Sequence, residues 1–337
     1  MKRHLLDWVV VCLSIALFCA YLVWKEGLDT IRTILFSLEY RWIAVAMASM
    51  LAALLSESAV LVVIRRRYQH EASYASCFRS TLIGYMFGAI TPLQIGNIAS
   101  QITVLSKDGM KVGDAATVLL TKTILFVCSM IAVVGALIAV HGREFSIPVA
   151  FWVLIFVGLA GNALYLVFLL SVAKAERVLG SIAGWFIRLL GKFHAVRQPQ
   201  ALQEKAVAEL HQLKLNMAKI RLRKRDYFLA FVFGCLQLIA TYQICYFIYR
   251  GFSLSGQGYS TVLAAQAFSA MIQSVVPIPG GLGVADSGFY YIMVQIMGNA
   301  YINFAMVLWR LLTLYLPILL GLVALMTGRR RNKDGVR

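Results

Sequence analysis

Apolar residues in this chain run in long blocks separated by short polar loops. A helix that crosses the hydrocarbon of a bilayer needs roughly 20 mostly apolar residues. Six blocks reach that length: Leu5–Trp24, Trp42–Ile64, Ala115–Val140, Ile147–Val172, Tyr227–Tyr249 and Asn303–Met326. Two further stretches are apolar but interrupted. Ser80–Leu105 is broken at Thr91-Pro92-Leu93-Gln94-Ile95-Gly96-Asn97, and Ser260–Met297 at Pro277-Ile278-Pro279-Gly280-Gly281-Leu282-Gly283. The pattern predicts an all-α polytopic membrane protein forming one integral membrane domain over residues 1–337.

Composition agrees with that reading. Of the 337 residues, 60% are apolar and 14% charged, against about 45–50% and about 25% in soluble domains. The net charge of +17 is gathered in a few loops between long uncharged stretches, a membrane pattern and not one that points to nucleic acid. The six cysteines read as small apolar side chains, and the five histidines are scattered, so neither a metal nor another cofactor is expected. Lys2, Arg3 and His4 precede the first block, which is too long for a usual signal sequence and lacks a small-residue exit; it reads as a retained span.

Basic residues set the orientation. Arg65-Arg66-Arg67 follows the second block, Lys107 and Lys111 follow the first interrupted stretch, and Arg329-Arg330-Arg331 follows the last block. Between Lys174 and Arg225 there are twelve Lys or Arg against three Glu. All of these fall on one side if both termini are cytoplasmic, in the cytoplasmic (inner) membrane. Each interrupted stretch then enters and leaves from a single side, the first from inside and the second from outside. The expected architecture is about six full spans plus two oppositely facing re-entrant helical hairpins, in repeat-like halves of about 1–140 and 147–326. Two complete spans over 260–298 stay open as an alternative. The basic segment 174–226 is amphipathic and reads either as a helix on the inner leaflet or as a hairpin packed on the bundle.

The two interruptions share a pattern. Pro92-Leu-Gln-Ile-Gly96 matches Pro279-Gly-Gly-Leu-Gly283, a proline, two residues, a branched aliphatic and a glycine. Inverted repeats with broken helices mark transporters with a midplane site; coincidental kinks are the plain alternative. Pro92, Pro277 and Pro279 break helices. Gly280, Gly281 and Gly283 permit positive φ and close approach of backbone to a ligand, and the N–H groups of the helix that follows suit an anion. Non-helical backbone at this depth implies a cavity or a protein surround. Gln94, Gly96, Asn97 and Gln101 would face that cavity from the first hairpin.

Ionisable residues within spans each cost about 2.5–3.5 kcal/mol on insertion scales. Four stand out: Glu57, Lys122, Asp286 and Arg310. Asp286 and Arg310 read as substrate-binding or as a structural ion pair, and Glu57 and Lys122 as secondary site candidates.

Pro277-Ile-Pro-Gly-Gly-Leu-Gly-Val-Ala-Asp286, the earlier Thr91-Pro92…Gly96 and the late Arg310 resemble the lysylphosphatidylglycerol synthase transmembrane-region family, which includes the flippase-like domain of the bacterial multiple peptide resistance factors. The resemblance covers nearly the whole chain. The family's first motif reads like P-x-R-x-G-E with a later arginine, where this chain has Gln94, Asn97 and Gln101; its usual glutamate is Asp286 here. The family's synthases add a soluble acyltransferase domain, which this chain is expected to lack.

The resemblance implies a lipid flippase that moves a phospholipid-type headgroup, anionic or aminoacylated, across the membrane between the two hairpins. A membrane-embedded transferase acting on lipid-linked substrates, or a scaffold for a partner lipid-synthesis enzyme, stands as the alternative; a homo-oligomer fits any of them. The chain carries no D-x-D pair, His cluster or nucleotide-binding loop, so the expectation is a transporter and not an enzyme.

Overall fold

The computed structural model describes residues 32–33, 36–67, 72–91, 94–145, 147–174, 222–275 and 284–334. Every regular element among them is helical. The elements are α1 (Tyr40–Arg65), α2 (Tyr74–Ala89), α3 (Ile95–Lys107), α4 (Val112–His141), a 3-10 turn (Gly142–Glu144), α5 (Val149–Lys174), α6 (Lys224–Tyr242), α7 (Ile244–Gly251), α8 (Tyr259–Val275), α9 (Val284–Met297), α10 (Ile302–Arg310), a π-helical segment (Leu311–Tyr315) and α11 (Leu316–Asp334).

Five helical stretches are long and apolar enough to cross a membrane: Tyr40–Arg65, Val112–Glu144, Val149–Ser171, Lys224–Gly251 and Ile302–Thr327. They coincide with five of the six long blocks. The sixth, Leu5–Trp24, lies outside the described residues, as does most of the amphipathic segment 174–226. Their outward faces stay apolar: on α5, Val149, Val153, Phe156, Leu164 and Val167 are exposed, as expected of side chains facing lipid and not water.

Two of these stretches are interrupted where the sequence reads as continuous. Gln243 separates α6 from α7; its side-chain amide donates to Ser49 Oγ (2.5 Å) and accepts from Tyr259 Oη (2.8 Å). The π-helical segment lies directly after Arg310 and just before Pro317. Proline cannot donate to the carbonyl four residues back and its ring crowds that carbonyl, which a locally widened turn relieves. Such single turns are frequent at functional sites.

The interrupted apolar stretches form two helical hairpins. In the first, Gln101 and Asn97 of α3 lie against Gly84 and Gly88 of α2, and Asp108 after α3 meets Arg79 of α2 at 3.0 Å, so the helices run antiparallel. In the second, Ser269 of α8 donates to the Gly288 carbonyl of α9 (3.4 Å), and Ile272 faces the same glycine. The helices have 16, 13, 17 and 14 residues. At 1.5 Å per residue that is roughly 20–25 Å each, short of the roughly 30 Å of a hydrocarbon core.

The hairpins open at opposite ends of the bundle. At the first end, Arg65 Nη1 donates to Ser76 Oγ (2.7 Å), Ser76 Oγ donates to Asp108, and Arg67 pairs with Asp226 (2.5 Å). This groups the end of α1, the open end of hairpin one and the start of α6. Arg65, expected in a solvated loop, is buried there. At the second end, the Glu39 N–H donates to the Gly251 carbonyl (2.8 Å), Thr261 Oγ1 donates to Glu144 (3.1 Å), and the rings of Phe252 and Tyr301 meet with centroids 5.1 Å apart. This groups the start of α1, the end of α4, and both the entrance and exit of hairpin two. The order long helix, short hairpin, long helix therefore occurs twice, over α1–α4 and over α6–α11. Each hairpin leaves through a left-handed glycine, Gly109 (φ 88°) and Gly298 (φ 73°).

Candidate functional site

The site residues of hairpin one are set by its tip. Thr91 Oγ1 donates to the Phe87 carbonyl (2.9 Å) and accepts from the Gly96 N–H (2.9 Å). It satisfies one of the four unpaired N–H groups at the start of α3 and closes the turn. Gln94, in the left-handed conformation (φ 54°), immediately precedes α3 and is exposed. Gly96 does not face open space: a Cβ there would strike the Phe87 carbonyl oxygen at 2.5 Å. Its part is close packing inside the hairpin. Pro92, Pro277, Pro279, Gly280, Gly281 and Gly283 lie outside the described residues.

Asn97 and Gln101, one turn apart on α3, lie in a slot made by Gly84 and Gly88 of α2. A Cβ on Gly84 would stand 2.5 Å from Gln101 Nε2, and one on Gly88 3.1 Å from Asn97 Cβ. Gln101 Nε2 donates to Asn97 Oδ1 (2.5 Å), and its other amide atom, Oε1, accepts from Lys122 Nζ of α4 (3.1 Å). Lys122 Nζ also pairs with Glu57 Oε1 of α1. Glu57 Oε2 accepts from Gln237 Nε2 of α6 (2.7 Å), which lies 3.4 Å from Tyr85 Oη of α2. Five helices thus converge on one buried charge pair, and the amides occupy hydrogen-bonding capacity that would otherwise leave buried charges under-satisfied.

Hairpin two carries the second pair. Asp286 Oδ1 accepts from Arg310 Nε (2.8 Å) and Nη2 (2.7 Å). Arg310 also lies over the ring of Trp309, 5.1 Å from its centroid, a cation–π arrangement. That ring stacks on Phe289 of α9 at 4.6 Å. Trp309 Nε1 is buried and, among the described residues, has no hydrogen-bond partner, so the ring against the guanidinium carries an unused donor.

The two sites correspond in position. Asn97 is the third residue of α3 and Asp286 the third of α9; each stands near a cation carried by the long helix that follows its hairpin. The alignment drawn from the prolines pairs Gly96 with Gly283, and Gly283 lies outside the described residues.

The sequence patterns did not single out Gly84, Gly88, Tyr85, Gln237 or the Arg65–Ser76–Asp108 cluster. One signal was present: Gly84-Tyr-Met-Phe-Gly88 is a G-x-x-x-G spacing, which marks close helix approach in membranes. Gln237 and Tyr85 are single polar residues in apolar runs, and nothing local identifies their partners.

Among the described residues, no group of three or more His, Cys, Asp or Glu is placed to hold a metal ion. Compared with known proteins, the chain matches the sequence model of the family described as Lysylphosphatidylglycerol synthase TM region over residues 8–321, nearly its whole length. It matches no curated protein.

Proposed function

The chain belongs to the lysylphosphatidylglycerol synthase transmembrane-region family, and from that premise we propose that this multi-pass membrane protein moves a phospholipid headgroup between leaflets. The observation that carries the reading is the pair of oppositely opening hairpins, each setting the third residue of its second helix near a buried cation. In the proposed arrangement the hairpins are re-entrant, and the two halves of the bundle are inverted repeats around a midplane path. Broken helices in inverted repeats place binding groups at that depth.

Arg310 is the headgroup's principal contact. A phosphate entering hydrocarbon must exchange its water for protein donors. The guanidinium offers a planar fork of N–H donors that matches phosphate oxygens bidentately. Asp286 holds that fork and accepts an amine where the headgroup carries one. Trp309 Nε1 adds a neutral donor. The end of the bundle with Arg65, Arg67, Lys107, Lys111 and Lys224 is placed on the cytoplasmic side, following the distribution of basic residues. The membrane is then the cytoplasmic one, with both termini inside.

The test is transbilayer movement of fluorescent phosphatidylglycerol in proteoliposomes, read by quenching the outer leaflet. The wild type should raise the accessible fraction faster than protein-free vesicles do, and Arg310→Ala should lose that increment while remaining folded. Movement no faster than in empty vesicles would overturn the reading. It would favour a membrane-embedded transferase or a scaffold for a partner lipid enzyme.

A further inference from the structure

We infer that Glu57 is a proton-binding site coupled to headgroup capture: a lipid phosphate takes Lys122 from Glu57, and Glu57 takes up a proton in exchange. The inference rests on the lipid-transport reading above and adds a coupling ion to it.

The two charge pairs differ in one decisive way. In the Asp286–Arg310 pair the carboxylate side chain keeps 23% of its exposure and the cation 7%. In the Glu57–Lys122 pair the carboxylate keeps 7% and the ammonium 11%. If a phosphate displaces Asp286 from Arg310, the carboxylate still stands partly open and is not enclosed by protein. If a phosphate displaces Glu57 from Lys122, a bare carboxylate is left, among the described residues, with only the Gln237 amide and the Tyr85 hydroxyl for company. A buried charge that loses its partner is neutralised before it is tolerated, and for a carboxylate that means protonation.

The groups around Glu57 allow one outcome for the charge. Lys122 on α4 is the only cation among the described residues that contacts it. Tyr85 on α2 and Gln237 on α6 are neutral hydrogen-bonding groups, as are Gln101 and Asn97 on α3. Cys77, also on α2, is buried and accepts from Arg65 Nη1 (3.9 Å). Among the described residues, no second cation contacts Glu57 to compensate it once Lys122 turns away. Entry of one phosphate charge together with one proton leaves the net charge of the pocket unchanged.

The approach to Lys122 is polar. Gln94 is exposed where α3 begins, Asn97 is half-buried and Gln101 is buried. Gln101 holds the ammonium through its carbonyl oxygen and Asn97 through its amide nitrogen. The three side chains form a ladder from the tip of hairpin one to Lys122. A headgroup moving along it meets neutral hydrogen-bonding groups first and the cation last. Gln101 keeps its bond to Lys122 whether the ammonium faces Glu57 or a phosphate.

The experiment uses the purified protein in weakly buffered phosphatidylcholine nanodiscs, to which short-chain phosphatidylglycerol is added. Proton uptake is followed with a pH dye, and protonated carboxyl by infrared difference spectroscopy. The wild type should take up about one proton per bound headgroup, the count that charge balance in a poorly solvated pocket requires, with a new protonated-carboxyl band. Glu57→Gln should lose both signals and move fluorescent phosphatidylglycerol at a rate independent of an imposed pH gradient. Because Glu57→Gln leaves Lys122 buried without its counter-charge, the double variant Glu57→Gln/Lys122→Met is measured beside it. That variant also lacks the cation that captures the phosphate, so it should give no proton uptake and no protonated-carboxyl band while unfolding at a higher temperature than Glu57→Gln alone.

Wild-type transport without proton uptake, or a pH-gradient response retained in Glu57→Gln, overturns the coupling and leaves the transport reading standing. Neither binding nor movement of phosphatidylglycerol by the wild type overturns the transport reading, and the coupling with it.

Discussion

Asn97 and Asp286 hold the same place in their hairpins, each the third residue of the second helix, yet one is neutral and the other charged. Asp286 binds its cation directly, through Arg310 Nε and Nη2. Asn97 reaches Lys122 only through Gln101, and the acid that pairs with Lys122 comes instead from α1. The two halves of the bundle thus carry one charge pair each, assembled in different ways.

Asp286→Asn removes the charge that faces Arg310 but keeps an oxygen in place. A hydrogen bond to a charged group contributes about 1.5–3 kcal/mol, and the variant should lose stability of that order in detergent unfolding. Arg310→Lys should fail to restore the transport lost in Arg310→Ala, because one ammonium cannot reproduce the two-nitrogen contact. Activity in Arg310→Ala that falls only in proportion to folded protein would make the residue a structural partner alone.

Glu57→Gln or Lys122→Met alone leaves its partner charged and buried. Breaking a buried pair from one side costs about 3–5 kcal/mol, whereas removing both charges is far milder. The double variant should therefore unfold at a higher temperature than either single one. Additive losses in that cycle would show that the two charges do not interact.

Gly84→Ala should push Gln101 out of its slot and break the bridge to Lys122, because the new Cβ would stand 2.5 Å from Gln101 Nε2. Overpacking of this kind costs about 1–3 kcal/mol. Gly135→Ala serves as the control, since nothing lies within 4 Å of a Cβ there. Thermal unfolding of both variants should separate them clearly.

Gly158 and Gly321 meet backbone and not a movable side chain. A Cβ on Gly158 of α5 would strike the Met271 carbonyl oxygen of α8, and one on Gly321 of α11 the Leu82 carbonyl oxygen of α2. Alanine at either position should separate the helices and reduce the yield of monodisperse protein more than Gly84→Ala does. Gly161→Ala, on the same helix as Gly158 but facing open space, should be neutral.

Glu39 joins the start of α1 to the loop after α7. The Ser253 hydroxyl donates to it at 2.8 Å, and that bond, with help from the Arg41 guanidinium, holds its carboxyl below the usual carboxylate value. A lowered value means that the contribution to stability is present above the ordinary carboxylate pKa and is lost as pH falls through the folded one. Glu39→Gln should thus be less stable than wild type at neutral pH and equal to it in strong acid. The side chain keeps 31% of its exposure, so added salt should shrink the difference.

How much of this was legible beforehand differs from element to element. The long helices were readable because transfer into hydrocarbon is a sum over consecutive residues, and Tyr40–Arg65 or Val149–Lys174 carries that sum in its own sequence. The two interruptions were readable because proline and glycine break helices wherever they stand. The isolated charges Glu57, Lys122, Asp286 and Arg310 were readable because each is costly in an apolar run.

Their pairing was not readable. Glu57 and Lys122 are 65 residues apart and Gln237 lies 180 residues from Glu57, and no local pattern connects them. Nor was it readable what closes the turn of hairpin one, where the Thr91 hydroxyl accepts from the Gly96 N–H. The sequence determined which segments enter the membrane and which charges enter with them, since both follow from additive, local transfer energies. Only the tertiary structure decided which charges meet, because that depends on how closely α2 and α3 approach over Gly84 and Gly88, and the absence of a side chain shows its effect only when another helix lies against it.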